Sequence, residues 1–302
     1  MLGRRSKARN AVDAAVGSVA VGLLQVMKLV ERRRAANLAG ATMRRLGPLL
    51  KEHRVGRANL RAAFPQKSPA EIEQILAGVW ENLGRVVAEF VHLDEFHIVD
   101  PQSSDPAAII LEPAMLERCR RAMGGKAALG FACHTANWEL SAVVARQIGA
   151  DTAVLYRRQN IAAISDAVIR LRAGVMGQMI PTGLDAPVKL ARLIQNGVHV
   201  GMLVDQHFTK GVDVQFFGRT CKANPLIAML ARQLECPILG LRIIRLPGGN
   251  RFRGDITDPI EPPRDAEGRI DVAGTMQAIT SVIEGWVREY PDHWLWLHRR
   301  WR

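Results

Sequence analysis

The chain has 302 residues, of which 48% are hydrophobic and 23% charged, which suits one large globular α/β domain and excludes a disordered chain. The formal net charge is +12, and residues 1–61 hold fourteen Lys and Arg against three acids. The basic excess therefore belongs to an N-terminal arm. Such an arm binds polyanions, either an anionic lipid surface or nucleic acid.

The arm contains an uncharged run over residues 14–27, with clusters of Lys and Arg before it (Arg4, Arg5, Lys7, Arg9) and after it (Arg32, Arg33, Arg34). Apolar residues recur there at steps of four and three, which predicts a helix over residues 12–30. The run is shorter than the ~20 apolar residues that span a bilayer, and its two basic flanks indicate no orientation. We predict that residues 1–34 anchor the protein to an anionic membrane, lying in the interface or barely crossing it. An amphipathic core helix is the alternative.

Residues 35–125 follow the arm and are mainly helical by pattern. A basic helix is expected over residues 35–62, broken at Gly47-Pro48. Ser68 with Glu71 three residues later predicts a capped helix that runs toward Phe96. Short elements and loops are expected over residues 97–125, where prolines are frequent.

From residue 126 the pattern changes to alternating strands and helices. Strands are predicted at residues 126–133, 153–156, 198–204, 238–246 and 252–257. Helices are predicted at residues 137–148, 161–172, 186–195, 226–234 and 272–290. This alternation predicts an α/β fold with a mainly parallel sheet flanked by helices, over a single domain of residues 35–302. Functional residues are expected at the carboxyl ends of its strands.

The four cysteines are scattered and form no CxxC pair, which indicates a reduced protein without disulfides or a zinc site (Cys119, Cys133, Cys221, Cys236). A zinc site of the HExxH type would also need a second His one helical turn from His134. We therefore expect no metal.

The segment from Cys133 to Glu139 carries the most specific chemical pattern. His134 follows an apolar strand, where it can take a proton from a substrate hydroxyl. Glu139 lies five residues later and is expected to bind the other ring nitrogen of His134 and fix its tautomer. A helix beginning near Asn137 would supply free N–H groups for a developing oxyanion. A lone His beside an acid is also often structural.

His134-Thr-Ala-Asn137-Trp-Glu139 resembles the H-x4-(D/E) motif of glycerolipid acyltransferases, in the N-W-E form of the lipid A biosynthesis (lauroyl/myristoyl) acyltransferases. Further blocks resemble that family in the same order, from about residue 35 to the end of the chain. They are Asn59-Leu60, Phe64-Pro65, Asn82-Leu-Gly-Arg85, Tyr156-Arg157-Arg158, Val204-Asp205-Gln206, Phe216-Phe-Gly-Arg219, Cys236-Pro237 and Trp294-Leu-Trp-Leu-His-Arg-Arg-Trp301.

The resemblance implies a glycerolipid acyltransferase-like fold and a set of roles for individual residues. His134 would be the general base and Glu139 its orienting partner. Asp205 would brace the active-site loop, and Arg157 or Arg158 would contact an anionic part of the acceptor or carrier. Asn137, Gln206 and Arg219 are expected among the substrate-binding residues. The alternatives without a functional role are that Asp205 caps a strand and that the two arginines are a solvated surface pair.

The implied reaction is secondary acylation of a lipid A precursor with acyl carrier protein as donor and no cofactor. It would occur at the cell inner membrane, with the catalytic domain on the cytoplasmic side and no nucleic-acid partner. Three other functions stay open: acylation of another glycolipid such as a phosphatidylinositol mannoside, a Cys133/His134 thioesterase, and a basic adaptor without activity. For the tail, we expect Trp294 and Trp296 to be buried together as on a strand, and the last four residues to be exposed.

Overall fold

The computed structural model of the protein describes residues 7–105 and 107–301, so Arg4 and Arg5 of the basic flank lie outside the described residues. Ten strands occur within these ranges: β1 (His97–Val99), β2 (Ala108–Ile110), β3 (Leu129–Ala132), β4 (Thr152–Tyr156), β5 (Gln178–Pro181), β6 (His199–Leu203), β7 (Val212–Phe216), β8 (Arg219–Ala223), β9 (Ile238–Arg245) and β10 (Phe252–Ile256).

Ten α-helices are described in the same part of the chain: α1 (Lys7–Leu29), α2 (Arg32–Leu46), α3 (Lys51–Ala63), α4 (Pro69–Glu89), α5 (Pro113–Met123), α6 (Leu140–Gln147), α7 (Ala162–Ala173), α8 (Ala186–Gln195), α9 (Leu226–Leu234) and α10 (Val272–Glu289). Short 3-10 turns follow α2 and α4.

Eight of the described strands form one sheet in the order β1-β2-β10-β9-β3-β6-β4-β5. Neighbouring strands are parallel except for β9 and β10. The predicted α/β fold with a mainly parallel sheet flanked by helices is therefore confirmed. Because β3, β6, β4 and β5 run in the same direction, their carboxyl ends meet at one edge of the sheet.

The two faces of the sheet differ in the size of their side chains. On one face Leu129, Phe131, Val200 and Met202 enter the main hydrophobic core, together with buried residues of α4, α8, α9 and α10. On the other face lie Ala128, which precedes β3, and Gly130 and Ala132 of β3, across from residues of α5 and α6. These small residues leave the space next to their own face open, whereas larger side chains fill the space next to the first face.

The helices before the sheet agree with the predicted pattern. The helical segment is interrupted at Gly47, between α2 and α3, as predicted. Helix α4 begins with the expected capping box. Ser68 Oγ accepts from the Glu71 N–H at 3.3 Å, and Glu71 Oε2 accepts from the Ser68 N–H at 2.8 Å. Helices α2 and α4 pack closely, since a Cβ at Gly84 would lie 2.4 Å from the carbonyl oxygen of Ala39.

Three elements were not predicted. Strand β5 lies at the edge of the main sheet, and β7 and β8 form a separate antiparallel pair that turns at Phe217 and Gly218. In addition, the segment that begins at Asn137 is not yet helical, because α6 starts at Leu140. Residues 134–139 instead form a turn in which Ala136 adopts a positive φ of 45°.

Candidate active site

A cavity of about 510 Å³ lies between the sheet and helices α5 and α6, and it extends to the carboxyl edge of the parallel strands. His134 after β3, Tyr156 at the end of β4, Thr182 after β5 and Gln206 after β6 line it at that edge. The volume lies within the range of small-molecule sites. The inner part is lined mainly by small and apolar side chains, including those of Ala128, Ala145, Ile148 and Leu239.

His134 and Asp205 form a hydrogen-bonded pair at the cavity edge. His134 Nδ1 lies 2.8 Å from Asp205 Oδ1, and the His134 backbone N–H donates to Oδ2 at 2.9 Å. The Trp294 indole N–H donates to the same Oδ2 at 2.8 Å. Asp205 is 3% exposed, so this carboxylate is held from three sides in a buried position.

The register of the sheet explains this pair. Ala132 of β3 lies opposite Leu203 of β6 in a parallel ladder. His134 and Asp205 each follow these residues by two positions, so they leave β3 and β6 at the same level of the sheet. The polar residue on the neighbouring strand end was a signal in the sequence, but using it requires knowing that β3 and β6 are neighbours.

Asp205 and His134 each stabilise the charged form of the other. Burial opposes ionisation of Asp205, but the positive charge of His134 and the hydrogen bonds from its ring and backbone lower the pKa of Asp205 well below its usual value. Burial alone would lower the pKa of His134, and the negative charge and hydrogen bond of Asp205 outweigh this effect, so the pKa of His134 is raised. Asp205 is thus ionised, and the pKa of His134 lies above its ordinary value.

An ionised Asp205 can only accept a hydrogen bond, so Nδ1 of His134 carries a proton in both states of the ring. The lone pair of the neutral ring is then on Nε2. The side-chain nitrogen of Gln206 lies 3.3 Å from that Nε2, and both residues line the cavity. His134 is therefore in the tautomer that can remove a proton from a group bound beside Nε2 in the cavity.

Glu139 does not bind His134, which corrects the contact expected from the sequence. Its Oε2 accepts from Arg172 Nε at 2.9 Å and its Oε1 accepts from Arg172 Nη2 at 2.5 Å. Trp138 also donates to Glu139 Oε1 at 3.1 Å. The reason is geometric: Glu139 directly precedes α6 and its side chain meets α7, while Asp205 already occupies Nδ1 of His134. The negative charge of Glu139 still contributes to the raised pKa of His134.

Arg172 is a site residue that sequence reasoning missed. It is placed in the last turn of α7, where its side chain lines the cavity, pairs with Glu139 and stacks on Phe90 at 5.3 Å. Within the sequence it is one of several arginines on a helix. Its relation to Glu139 depends on how α7 packs on the strand ends, and no local pattern indicates this.

Asn137 is buried away from the cavity, so the structure does not support the expected contact with substrate. Its side chain is fully buried and donates to Glu89 Oε2 at 2.9 Å. Its Oδ1 accepts from the Glu139 N–H at 3.3 Å, and its carbonyl accepts from the Leu140 N–H at 3.1 Å. The N–H groups of Glu139 and Leu140 are therefore already paired and are not available to an oxyanion.

A buried network continues from Asn137 and holds the turn of residues 134–139. Glu89 forms an ion pair with Arg245 at 2.5 Å and 3.0 Å, and Arg245 Nε donates to Asn82 Oδ1 at 2.9 Å. Asn82 Nδ2 in turn donates to the carbonyl of Ala136 at 3.0 Å. The strained backbone of Ala136 is thereby fixed by side chains that lie outside the cavity.

The expected substrate arginines occupy different places. Arg157 lines the cavity edge, and its side chain lies 3.5 Å from Asn160 Oδ1. Arg158 is exposed beside it. Arg219 stacks its guanidinium on Trp301 at 4.8 Å and does not line the cavity. The structure therefore brings together His134, Asp205, Gln206 and Arg157 but not Arg219.

The C-terminal segment packs beneath the site. Trp294 and Trp296 are fully buried with ring centroids 4.7 Å apart, as expected, although Trp294 forms only an isolated β-bridge with Thr135 and Trp296 lies in a turn. The expectation that the last four residues are exposed is wrong for Arg300, which is 2% exposed. Its guanidinium donates to the carbonyls of Gln206 at 2.9 Å and Lys222 at 2.7 Å, so these acceptors draw it inward. Arg302 lies outside the described residues.

Cys133 does not face the cavity edge. Its thiol belongs to the main core on the opposite face of the sheet from His134, because neighbouring residues of a strand point to opposite faces. Burial raises the pKa of Cys133 well above its usual value, so the thiolate needed for nucleophilic attack is disfavoured. This geometry argues against a Cys133/His134 thioesterase.

The chain was compared with known proteins. Residues 4–302 match the sequence model of the family described as bacterial lipid A biosynthesis acyltransferase. A search of curated proteins found no match. The family match covers both the apolar N-terminal helix and the whole sheet domain.

Proposed function

The chain belongs to the bacterial lipid A biosynthesis acyltransferase family and is an acyltransferase, and from this premise we propose that it transfers a fatty-acyl chain from acyl carrier protein to a hydroxyl of a lipid A precursor. The observation that carries the proposal is the buried Asp205 on Nδ1 of His134, with Nε2 left beside an apolar cavity. The cavity suits an acyl chain, and the imidazole suits a proton acceptor.

In the proposed reaction, Nε2 of His134 removes the proton of the acceptor hydroxyl. The oxygen then attacks the thioester carbonyl of the donor and forms a tetrahedral oxyanion. Collapse of this intermediate breaks the carbon–sulfur bond, and the leaving thiolate takes the proton from the imidazolium. The product is an ester on the lipid and a free carrier thiol, with no acyl-enzyme and no cofactor in the sequence of steps.

Gln206 and Arg172 support the developing charge in this scheme, and Arg157 contacts the substrate. Gln206 has its amide nitrogen 3.3 Å from Nε2, where an oxyanion next to the reacting hydroxyl would form. Arg172 lines the same cavity and is held in place by Glu139. Arg157 at the cavity edge would contact an anionic part of the acceptor or carrier, for which the guanidinium geometry is well suited.

We further propose that the protein acts on the cytoplasmic side of the inner membrane, with α1 lying in the interface. By length and composition, residues 12–29 could cross a membrane, and almost all of that stretch is exposed. Helix α1 also packs on the domain at two points. A Cβ at Gly17 would lie 3.0 Å from Ala163 Cβ, and Lys28 pairs with Asp94 at 2.6 Å. Because α1 is fixed along the domain in this way, we expect its axis to lie parallel to the membrane surface.

The test is transfer of a labelled acyl chain from acyl carrier protein to a tetra-acylated, Kdo-bearing lipid A precursor. We expect the wild type to transfer the acyl chain. In His134→Ala the transfer rate should fall by about 10²–10⁴-fold, the usual contribution of a general base. His97→Ala is the matched control, since His97 also pairs with a carboxylate, Asp105 at 2.9 Å, but is half exposed on the surface.

Full activity in a folded His134→Ala protein would contradict the mechanism. Transfer by the wild type to another glycolipid, such as a phosphatidylinositol mannoside, and not to the lipid A precursor would keep the reaction and replace the acceptor. Hydrolysis of the thioester without any transfer would remove the acceptor from the scheme altogether.

A further inference from the structure

Gly201 lies at the centre of the sheet and faces the cavity. In β6, Val200 and Met202 enter the main core, so the alternate residues His199, Gly201 and Leu203 point to the opposite face, where all three line the cavity. A Cβ built on Gly201 would meet no atom within 4 Å. The space above this residue is therefore open, although β6 has hydrogen-bonded strands on both sides.

The sheet register divides the cavity into three levels along the strands. Leu203 lies opposite Ala132 at the level next to His134, and Gly201 lies opposite Gly130 at the middle level. The inner level is formed by His199 and Ala128, whose N–H donates to His199 Nδ1 at 3.1 Å. Each level is about 7 Å from the next, given a rise of about 3.3 Å per strand residue.

At the middle level, β3 and β6 contribute no side-chain atoms to the wall of the cavity. Gly130 and Gly201 are direct neighbours there, and a Cβ at Gly130 would lie 3.8 Å from the Cα of Gly201. Val154 of β4 is the partner of Gly201 on its other side. A larger residue at position 201 would project into the passage between the reactive edge and the inner level.

We infer that Gly201 sets the length of the acyl chain that the protein accepts, by leaving open the passage from His134 to the inner level of the cavity. This inference rests on the proposed function, because it takes the cavity as the site of the donor chain. It makes Gly201 a residue that determines specificity and takes no part in the chemistry. Acyl chains that are too short to reach the middle level do not contact Gly201, while longer acyl chains pass over it.

The experiment measures kcat/KM of wild type, Gly201→Ala and Gly201→Val with acyl carrier protein loaded with saturated chains from octanoyl to palmitoyl. We expect Gly201→Val to lower kcat/KM for the longest donor that the wild type uses by about tenfold or more, since pocket fit discriminates at this scale. The shortest donor is expected to change less than about twofold, and Gly201→Ala to lie between.

The substitution is compatible with folding, because Val favours strands and Gly weakens them. Gly285→Ala in α10 is the matched control for Gly201→Ala, since a Cβ there also meets nothing within 4 Å but Gly285 does not line the cavity. Ala145→Leu fills the same cavity from α6 and should shift the preference in the same direction if Gly201→Val does not fold.

A second readout separates this inference from the proposed reaction. Binding of palmitate and octanoate to the same proteins is measured by quenching of tryptophan fluorescence. If the wild type transfers no acyl chain but Gly201→Val loses palmitate binding selectively, the reaction is wrong and the role of Gly201 stands. If a folded Gly201→Val protein keeps the wild-type donor profile, or binds both fatty acids as the wild type does, the inference is overturned.

Discussion

Asp205 accepts hydrogen bonds from the ring and the backbone of His134, and its charge raises the pKa of that imidazole. Asp205→Asn removes the charge, so the pKa of His134 should fall. If neutral His134 is the base, the acid limb of the kcat/KM profile, where activity is lost as pH decreases, should move to lower pH. The activity on the plateau should drop by about 10²–10⁴-fold, because the tautomer is no longer fixed.

The pH–rate profile of acyl transfer measures this effect, with Asp213→Asn as the control. Asp213 also pairs with a cation, Lys222 at 2.9 Å, but is exposed on β7. A lower plateau with an unshifted acid limb would mean that Asp205 does not govern the ionisation of the catalytic group.

Glu139 and Arg172 form one unit by their contacts, so their substitutions should not be additive. Removing Glu139 leaves Arg172 without the carboxylate that orients it, and removing Arg172 leaves a carboxylate that is 7% exposed. We expect Glu139→Ala, Arg172→Ala and the double variant to lose similar amounts of kcat/KM, with a coupling of roughly 0.5–3 kcal/mol. Additive losses in this double-mutant cycle would show that Glu139 acts independently of Arg172.

At the scale of elements, the turn of residues 134–139 depends on a buried ion pair between α4 and β9. Glu89 is fully buried and pairs with Arg245, and both reach the turn through Asn82 and Asn137. Glu89→Gln leaves Arg245 as an uncompensated buried charge, which we expect to cost roughly 3–5 kcal/mol of unfolding free energy. Denaturant unfolding measures this loss.

Glu73→Gln is the matched control, because Glu73 pairs with Arg57 at the surface and should cost less than about 1 kcal/mol. The turn also carries His134, so the Glu89→Gln protein should lose activity at temperatures where it is still folded. Equal unfolding free energies for the two variants would contradict the importance of the buried network.

The strand and helix pattern allowed most elements to be predicted, but the contacts between them could not be. The capped start of α4 and the Gly47 break follow from local chemistry. The alternation of Val212, Val214 and Phe216 with polar residues is a local signal for β7. The partner of His134 was assigned to Glu139, which is near in sequence, whereas the strand register brings Asp205 there. The contact of Arg172 with Glu139 likewise required the packing of α7.

At the scale of the whole molecule, α1 presents a row of exposed apolar side chains along one side: Val12, Val16, Val19, Leu23 and Val26. If this side lies in the membrane interface, Leu23→Glu should weaken binding to anionic vesicles by about tenfold or more, the equivalent of one large buried apolar side chain. Vesicle flotation measures the bound fraction at several salt concentrations.

Met229→Glu is the control for this substitution, because Met229 is similarly exposed but lies on α9, which packs on the main hydrophobic core. Unchanged flotation of Leu23→Glu would place the membrane contact elsewhere. Equal weakening by both substitutions would indicate a general effect of charge on vesicle binding.

The long-range contacts of residues 294–300 have a consequence for the order in which the protein is made. Trp294 donates to Asp205, and Arg300 donates to the carbonyl of Gln206, so the pair at His134 is completed by residues that are translated well after it. During synthesis the N-terminal part of a chain emerges first. All ten strands therefore leave the ribosome before residues 294–300 do, and Asp205 gains its indole donor only when this later segment has also emerged.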